Sequence, residues 1–233
     1  VGIPLADLSA GLFAAQGILL ALYERGRSGK GQWVQTSLLQ SQIFMLDFQA
    51  ARYAMKGEVP LQSGNNHPTS IPTGMFETAD GFMNIAASGE QIWQKLAQAL
   101  GHDEWISSPE FTTAANRSDN RDKLGEAITA CTKTKPTDYW VELLNQAGVP
   151  CGSINTIDKM FADPQVQHLQ VTSSVTNQDG PEIPVMAQPI SLGRTDSHIS
   201  QAAPDAGQNT DAILQDLGFN LSEIQEMRIN KII

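Results

Sequence analysis

The longest apolar pattern of the chain predicts a helix from about Ser9 to Arg25. Leucines, isoleucines and alanines occupy nearly every side of this helix, so we expect it to be buried on most faces. The segment "GRSGKG" is typical of a glycine-rich turn that ends a helix, and it lacks the spacing of a phosphate-binding loop. Alternating apolar residues in "QWVQTSLL" predict a short strand, and a second helix is predicted from Leu38 to Met55.

Residues 61–74, "LQSGNNHPTSIPTG", have neither a helical nor a strand period. Their Gly, Pro, Asn, Ser and Thr content predicts a long loop, and loops of this length in compact proteins are often functional. The pattern then changes, because "MFETADGFMNIAA" predicts a β-hairpin with its turn at residues 79–81. The following "SGEQIWQKLAQALG" predicts an amphipathic helix. Residues 61–74 are therefore a candidate domain boundary.

Beyond residue 100, short helices and short strands alternate irregularly. Helices are predicted over 120–132 and 137–147, on both sides of the proline in "TIDKMFADPQVQHL", and twice near the end of the chain. Strands are predicted after "GVP" and near 171–175 and 183–186. Thr137 is predicted to cap its helix, and Asn220 or Ser222 the last one. Gly180 is predicted to lie in a turn between two strands. The chain is therefore expected to be α/β or α+β, with a second candidate boundary in the proline-rich stretch 184–204.

Composition narrows the classes of partner. The chain has 233 residues, 41% of them apolar, and a net charge of −10, which indicates a globular protein. An acidic chain repels nucleic acid and anionic membranes, although a local basic patch could still bind a phosphate. The apolar run from Leu12 to Tyr23 is expected to be too short to span a bilayer, and no signal-peptide pattern accompanies it. We therefore expect no nucleic-acid partner, no membrane association and a cytoplasmic location.

No single local motif in the sequence is specific for a reaction or a ligand. Cys131 and Cys151 have no metal-ligand spacing and are expected to be buried thiols, and the four histidines form no ligand pattern, so no metal is expected. His67, in its loop, is most simply a solvated surface residue. Asp7 precedes an apolar helix, and its simplest role is that of an N-cap whose carboxylate accepts backbone N–H bonds.

Four segments together are more specific than any of these motifs. They are "GIPLADLSAGLFAAQGILLALYERGRSGKGQWVQTSLL", "GNNHPTSIPTGMFETADGFMNIAA", "GVPCGSINTIDKMFADPQV" and "APDAGQNTDAILQDLGFN". In this order, and over essentially all 233 residues, the sequence closely resembles the class III CoA-transferases, the family of formyl-CoA, carnitine-CoA and bile-acid CoA transferases. The resemblance implies an α/β fold, namely the C-terminal portion of this family's fold, with part of a Rossmann-like large domain and a smaller α+β domain.

The resemblance also implies a reaction and a site. The family's nucleophile falls on Asp7, whose carboxylate would accept the acyl group of an acyl-CoA and then carry coenzyme A as a thioester. A small carboxylic acid would receive the CoA, and no metal would take part. The family's lid over the nucleophile falls on the loop with Gly64, Asn65, Asn66 and His67. In place of a run of four glycines this loop has "GNNHPTS", which does not favour a formyl-CoA and oxalate specificity.

Two alternatives remain open. The α-methylacyl-CoA racemases of the same family use an acid where this chain has Gly89, while Glu90 lies one position later, which favours a transferase; by itself Glu90 is most simply a first-turn helix acid. The second alternative is a non-catalytic fragment, since the N-terminal half that supplies most CoA contacts is expected to be absent. The complete protein is expected to be an interlocked homodimer.

The resemblance further implies a division of the chain. Residues 1–60 would be the remainder of the large CoA-binding domain and carry the nucleophile, and residues 61–74 would be the linker and lid. Residues 75–190 would form the small α+β domain, and residues 191–233 would return to the large domain. On its own, the chain is expected to self-associate through the apolar residues 8–55, because they expose more apolar area than a soluble monomer usually does.

Overall fold

The structure, a computed structural model, describes residues 2–176, 181–195, 198–199 and 201–233. Contacts divide the chain into two compact units, Val1–Ser153 and Ile154–Ile233. The first unit contains α1 (Leu5–Ser28), α2 (Leu38–Phe44), α3 (Phe48–Lys56), β1 (Thr73–Glu77), β2 (Phe82–Ala86), α4 (Glu90–Ala99), α5 (Glu104–Ser107), α6 (Ala114–Asp119), α7 (Arg121–Thr132), α8 (Thr137–Gln146) and β3 (Cys151–Ser153). The second contains α9 (Ile157–Ala162), α10 (Pro164–His168), β4 (Thr172–Thr176), β5 (Glu182–Met186), α11 (Thr210–Asp216) and α12 (Leu221–Ile229).

Helix α1 is longer and more exposed than the sequence predicts. It is followed by Gly29, as expected for the glycine-rich turn, but Ser9 is its one buried residue in the described chain. Leu12 is 73% exposed and Tyr23 71% exposed, so this chain does not itself bury the helix on most faces, and the exposed apolar area expected over residues 8–55 is present. The described chain provides α2 as its main neighbour, with the rings of Phe13 and Phe44 meeting edge to face at 5.1 Å. One neighbour cannot cover a helix that is apolar on nearly every side.

The expectation that this apolar run is too short for a bilayer is also corrected. The helix has 24 residues and is long and apolar enough to cross a membrane, and few of its residues are buried. Core helices of soluble proteins and signal sequences satisfy the same two criteria.

Two other predictions for this region are wrong. Residues 30–37 form no strand, because no strand among the described residues lies beside them to complete a hydrogen-bond ladder. The single helix predicted from Leu38 to Met55 is two helices, α2 and α3. Asp47 separates them with a φ of 48°, a conformation that no helix continues through. Neither glycine nor proline marks this break.

The core of the first unit lies between a small sheet and several helices. Strands β1 and β2 form the predicted hairpin, with Met75 opposite Asn84, and β3 pairs antiparallel with the other side of β2. Helices α7 and α8 pack against this sheet, and α4 packs against α8. The central buried side chains are Phe76, Met83, Ile85, Trp93, Leu96, Leu124, Ile128 and Leu144. Each contributes roughly 1.5–3 kcal/mol relative to exposure, so this cluster is the main source of stability for the unit.

The hairpin turn also caps a helix that begins 57 residues later. Thr137, predicted as the cap of α8, is its first helical residue, and Pro136 holds the cap position. The cap is instead the carboxylate of Asp80, which accepts hydrogen bonds from the backbone N–H and the hydroxyl of Thr137, both at 2.8 Å. These bonds, together with one from Thr78, hold the pKa of Asp80 below its usual range.

Replacement of Asp80 by asparagine is expected to remove an acid-sensitive part of the stability. A lowered pKa stabilises the fold above the ordinary aspartate value, and this stabilisation disappears as pH falls through the folded-state pKa. The urea midpoint of the native protein should therefore decrease from pH 7 to pH 3 by more than that of Asp80→Asn. The matched control is Asp119→Asn, since Asp119 is exposed and its side chain makes no hydrogen bond or ion pair with the described residues. Equal pH dependence of all three proteins would contradict this account.

The second unit is smaller and less buried. Its strands β4 and β5 pair antiparallel with Thr172 opposite Met186, as predicted, while Gly180 lies outside the described residues. Asn220 caps α12 in a reciprocal capping box with Glu223, which confirms one of the two predicted caps. The mixed α/β class is confirmed, and the domain limits at 60, 74 and 190 stay a prediction.

Candidate active site

Asp7 lies in the first turn of α1. Pro4 precedes the helix without a side-chain cap, and Asp7 is the third helical residue, so its predicted role as the N-cap is wrong. Its side chain is exposed and makes no hydrogen bond or ion pair with the described residues. The first backbone N–H groups of a helix have no partner within the helix, and the positive end of its dipole lies there. The carboxylate is therefore accessible and sits beside groups that stabilise negative charge.

The loop before β1 closes on itself. The Asn66 N–H donates to the Ser63 carbonyl at 3.0 Å, and the His67 N–H donates to the Thr73 carbonyl at 2.7 Å. Gly64 at the turn has a φ of 56°, a left-handed conformation that favours glycine. The two ends of the loop are thus joined, and Gly64, Asn65, Asn66 and His67 form one projecting turn.

Gly74 allows this closure at the base of the loop. A Cβ atom at this position would lie against the Asn66 side chain and 3.2 Å from the Asn65 carbonyl oxygen. Asn66 and Gly74 also pair as an isolated antiparallel bridge. The close approach therefore fixes where the two asparagines stand relative to β1.

His67 organises the loop instead of pointing freely into solvent. Its Nδ1 accepts hydrogen bonds from the N–H groups of Ser70 at 2.8 Å and Thr69 at 3.1 Å. The ring also stacks on Phe48 of α3, with centroids 6.1 Å apart and planes 13° apart. Because Nδ1 accepts, the proton of the neutral ring is on Nε2. His67 thus joins the loop both to its own backbone and to α3.

His67→Ala is expected to loosen the loop, whereas His67→Asn should largely preserve it. Alanine leaves the N–H groups of Thr69 and Ser70 without their acceptor, while the Asn side-chain oxygen occupies about the place of Nδ1. Amide hydrogen exchange at Thr69 and Ser70 should become about tenfold faster in His67→Ala, as expected for the loss of roughly 1.4 kcal/mol of local stability. Identical exchange in both variants would show that the ring nitrogen does not hold the loop.

Two arginines that sequence reasoning missed fasten this loop to the helices behind it. Arg117 of α6 is 1% exposed and donates from Nε to the Ile71 carbonyl at 3.2 Å. Arg121 of α7 is half-buried and donates to the Pro68 carbonyl at 2.9 Å. Both acceptors are about 50 residues away along the chain, so no local pattern could identify these contacts.

Arg117 is also the centre of a buried polar cluster. It donates to the Phe111 carbonyl at 2.9 Å, and its guanidinium carbon lies 5.0 Å from the centre of the Trp93 ring. It pairs with Glu90 at 3.1 Å, a first-turn residue of α4 as predicted. The Glu90 carboxylate is therefore engaged in an ion pair that belongs to the packing of the first unit.

A cleft of about 610 Å³ lies between the loop, β1 and α7. Asn66, Ile71 and Met75 form one wall, and Arg121 and Glu126 belong to the other. The loop thus borders this cleft: Ile71 near its end is buried in the core, whereas residues 64–69 contribute no side chain to that core.

The structure does not bring all predicted site residues together. The four loop residues share one turn, but within the described residues no hydrogen bond, ion pair or ring contact joins them to Asp7. Burial raises the pKa of the thiols of Cys131 and Cys151, which are half-buried and thus more exposed than expected, so neither is an activated nucleophile. Among the described residues, no three His, Cys, Asp or Glu side chains are placed to hold a metal ion.

Comparisons with known proteins all lead to one group of enzymes, the CoA-transferases. The sequence model of CoA-transferase family III matches residues 1–210. The chain is 30% identical over 235 residues to the succinyl-CoA–D-citramalate CoA-transferase of Chloroflexus aurantiacus, covering 100% of this chain and 58% of that protein. It is 30% identical over 217 residues to the succinate–glutarate CoA-transferase of Agrobacterium fabrum, covering 93% and 54%.

A solved structure has a similar fold over most of this chain. A CaiB/BaiF family protein from Brucella suis superposes with a TM-score of 0.78 at 30% identity, over 93% of this chain and 56% of that one. The chain thus spans about half the length of the relatives that it matches.

Proposed function

Because the chain belongs to CoA-transferase family III, we propose that it moves coenzyme A between an acyl-CoA and a small carboxylic acid, with Asp7 as the acyl acceptor. One observation carries the assignment of Asp7: its carboxylate is exposed, has no partner among the described residues and lies in the first turn of α1. A nucleophilic carboxylate needs this accessibility, and the free N–H groups of the helix can stabilise negative charge that develops on an attacked carbonyl.

The reaction proceeds in two half-reactions with balanced bonds. The Asp7 carboxylate attacks the thioester carbonyl, the C–S bond breaks and CoA leaves as a thiolate, which gives a mixed anhydride. The thiolate then attacks the aspartyl carbonyl, the donor acid leaves as a carboxylate, and Asp7 holds CoA as a thioester. The carboxylate of the acceptor acid reverses these steps and leaves as its CoA ester.

Both covalent intermediates react readily with water, which gives the loop its proposed role. Gly64, Asn65, Asn66 and His67 cover Asp7 during the reaction and keep water from the anhydride and the thioester. The closed turn and its fastening at Pro68 and Ile71 support this role, since a cover must hold its shape.

The names of the relatives support a proposal for the substrate class. The names of two of them contain succinyl-CoA or succinate. A succinyl-type CoA ester is therefore the proposed donor, and a small carboxylic or dicarboxylic acid the proposed acceptor. The complete protein is proposed to be a cytoplasmic interlocked homodimer, and the exposed apolar side chains of α1 support an extensive interface.

The test is an exchange assay with the full-length protein. Succinyl-CoA and a panel of acids that includes glutarate, mesaconate, citramalate and oxalate are supplied, and the CoA esters formed are separated and quantified. Formation of a new CoA ester together with an equal amount of succinate supports the proposal. Epimerisation of a 2-methylacyl-CoA without any exchange would instead identify a racemase, and the pairing of Glu90 with Arg117 does not favour that outcome.

A further inference from the structure

We propose that Arg121 is a positioning residue for the reaction: it holds the loop 63–74 against α7 and thereby sets where Asn65 and Asn66 stand over the covalent intermediates. This inference rests on the proposed function. The contact that supports it is the 2.9 Å hydrogen bond from the Arg121 guanidinium to the carbonyl oxygen of Pro68. A bond from a charged donor is stronger than one between neutral groups.

The guanidinium is itself fixed before it reaches the loop. Arg121 donates from Nε to the Ser118 carbonyl at 3.2 Å and from its terminal nitrogen to the Ser118 hydroxyl at 3.1 Å. The planar guanidinium therefore has a single orientation set by the junction of α6 and α7. Its bond to Pro68 transmits that orientation to the loop.

Pro68 is the point of the loop through which such a bond acts on the asparagines. It lies between His67 and Thr69, and the ring of His67 accepts from the N–H groups of Thr69 and Ser70. These bonds make residues 67–70 a tight turn, so displacement of the Pro68 carbonyl must also move His67. Asn66 directly precedes His67 in the sequence, so it must move together with His67.

Arg121 can affect the loop without affecting the core. Arg117 also holds the loop, but it is buried against Trp93 and Glu90, and its loss would disturb the whole unit. Arg121 is half-buried and borders the 610 Å³ cleft beneath the loop. Since residues 64–69 of the loop contribute no side chain to the buried core, their position depends on directional hydrogen bonds and on the stacking of His67 on Phe48.

The experiment compares Arg121→Gln and Arg121→Lys with Lys123→Gln in the full-length protein. Lys123 lies on the same helix and is exposed, and its ion pair is with Glu110, away from the loop, so this control removes the same charge from α7. Two readouts are used: amide hydrogen exchange of residues 63–74 without substrate, and the ratio of succinyl-CoA hydrolysis to CoA transfer.

In Arg121→Gln, exchange of the His67, Thr69 and Ser70 amides should become about tenfold faster, as expected for the loss of one charge-assisted hydrogen bond. The hydrolysis-to-transfer ratio should rise about threefold or more as water reaches the intermediates. Arg121→Lys should restore part of both, since an ammonium can still reach the Pro68 carbonyl, and Lys123→Gln should resemble the native protein. A merely structural role would lower both reactions equally and leave the ratio unchanged.

Unchanged loop exchange in Arg121→Gln, or equal acceleration in Lys123→Gln, would overturn the proposal. Faster exchange with an unchanged ratio would also overturn it, because the loop would then be held without serving the reaction. Failure of the proposed function is distinguishable, since the native protein would then transfer no CoA to any acid, and loop exchange alone would decide whether Arg121 holds the loop.

Discussion

Asp7→Asn is expected to abolish CoA transfer while the protein remains folded. An amide cannot attack a thioester to form an anhydride, so the covalent route is lost, and the rate should fall by at least about a thousandfold, as for removal of other enzyme nucleophiles. The fold should persist because Asp7 is an exposed first-turn residue whose side chain makes no hydrogen bond or ion pair with the described residues. Substitutions at such positions change stability little. Exchange rates and thermal unfolding midpoints of the native and variant proteins provide the measurement.

The control for this prediction is Glu24→Gln on the same helix. Glu24 is also an exposed carboxylate, but it lies in the last two turns of α1. It should keep transfer within about twofold of the native rate, as expected for a surface substitution away from the chemistry. Near-normal transfer by Asp7→Asn, or an equal loss in Glu24→Gln, would remove the assignment of Asp7 as the nucleophile.

Arg117→Met is expected to destabilise the first unit by about 3–5 kcal/mol. The substitution leaves the buried carbonyls of Ile71 and Phe111 without their donor, and methionine does not fill the space of the guanidinium beside Trp93. Domain stabilities are about 5–15 kcal/mol, so a large share of the stability would be lost. Urea unfolding monitored by tryptophan fluorescence measures it, since Trp93 lies against the substituted side chain.

Arg52→Met is the matched control for the burial of Arg117. Arg52 makes an ion pair with Glu58 at 3.0 Å, but both side chains are substantially exposed. Such surface pairs contribute roughly 0–1 kcal/mol, so this variant should unfold close to the native midpoint. Equal destabilisation by the two substitutions would show that the buried hydrogen bonds of Arg117 do not stabilise the unit.

The sequence predicted the elements whose signals are local. The β1–β2 hairpin, α4, α7 and α8 follow from apolar periods of 2 and 3.6 bounded by turn residues, and all are present close to the expected limits. The cap of α12 was also predictable, because Asn220 and Glu223 stand three residues apart in the pattern of a capping box. In these segments, local preference and tertiary packing agree.

Features that depend on distant partners were not predictable. The strand expected in "QWVQTSLL" has the right alternation but no neighbour among the described residues, and α5 and α6 were missed because each is shorter than two helical turns. The cap of α8 comes from Asp80, and Arg117 bonds to Ile71 across 46 residues. Spacing along a chain contains no information about such pairs.

The candidate site divides in the same way. The loop 61–74 was predictable from its composition, and the positive φ of Gly64 is a conformation that glycine adopts readily. The hydrogen bonds that His67 accepts from its own loop, and the one that Arg121 donates to Pro68, were not predictable, because both exist only in the folded loop. Asp7 carried no chemical signal of its own and became a candidate only through the resemblance to a family, which the match over residues 1–210 has since established.

Covalent labelling of Asp7 is the most direct test of the central claim, that this carboxylate accepts the acyl group and then CoA. The full-length protein is incubated with succinyl-CoA without an acceptor acid, treated with hydroxylamine, digested and examined by mass spectrometry. The account predicts a hydroxamate at Asp7, formed from the anhydride or the aspartyl-CoA thioester, and its absence without succinyl-CoA and in Asp7→Asn. Labelling of another residue, or active CoA transfer with no label at Asp7, would contradict it.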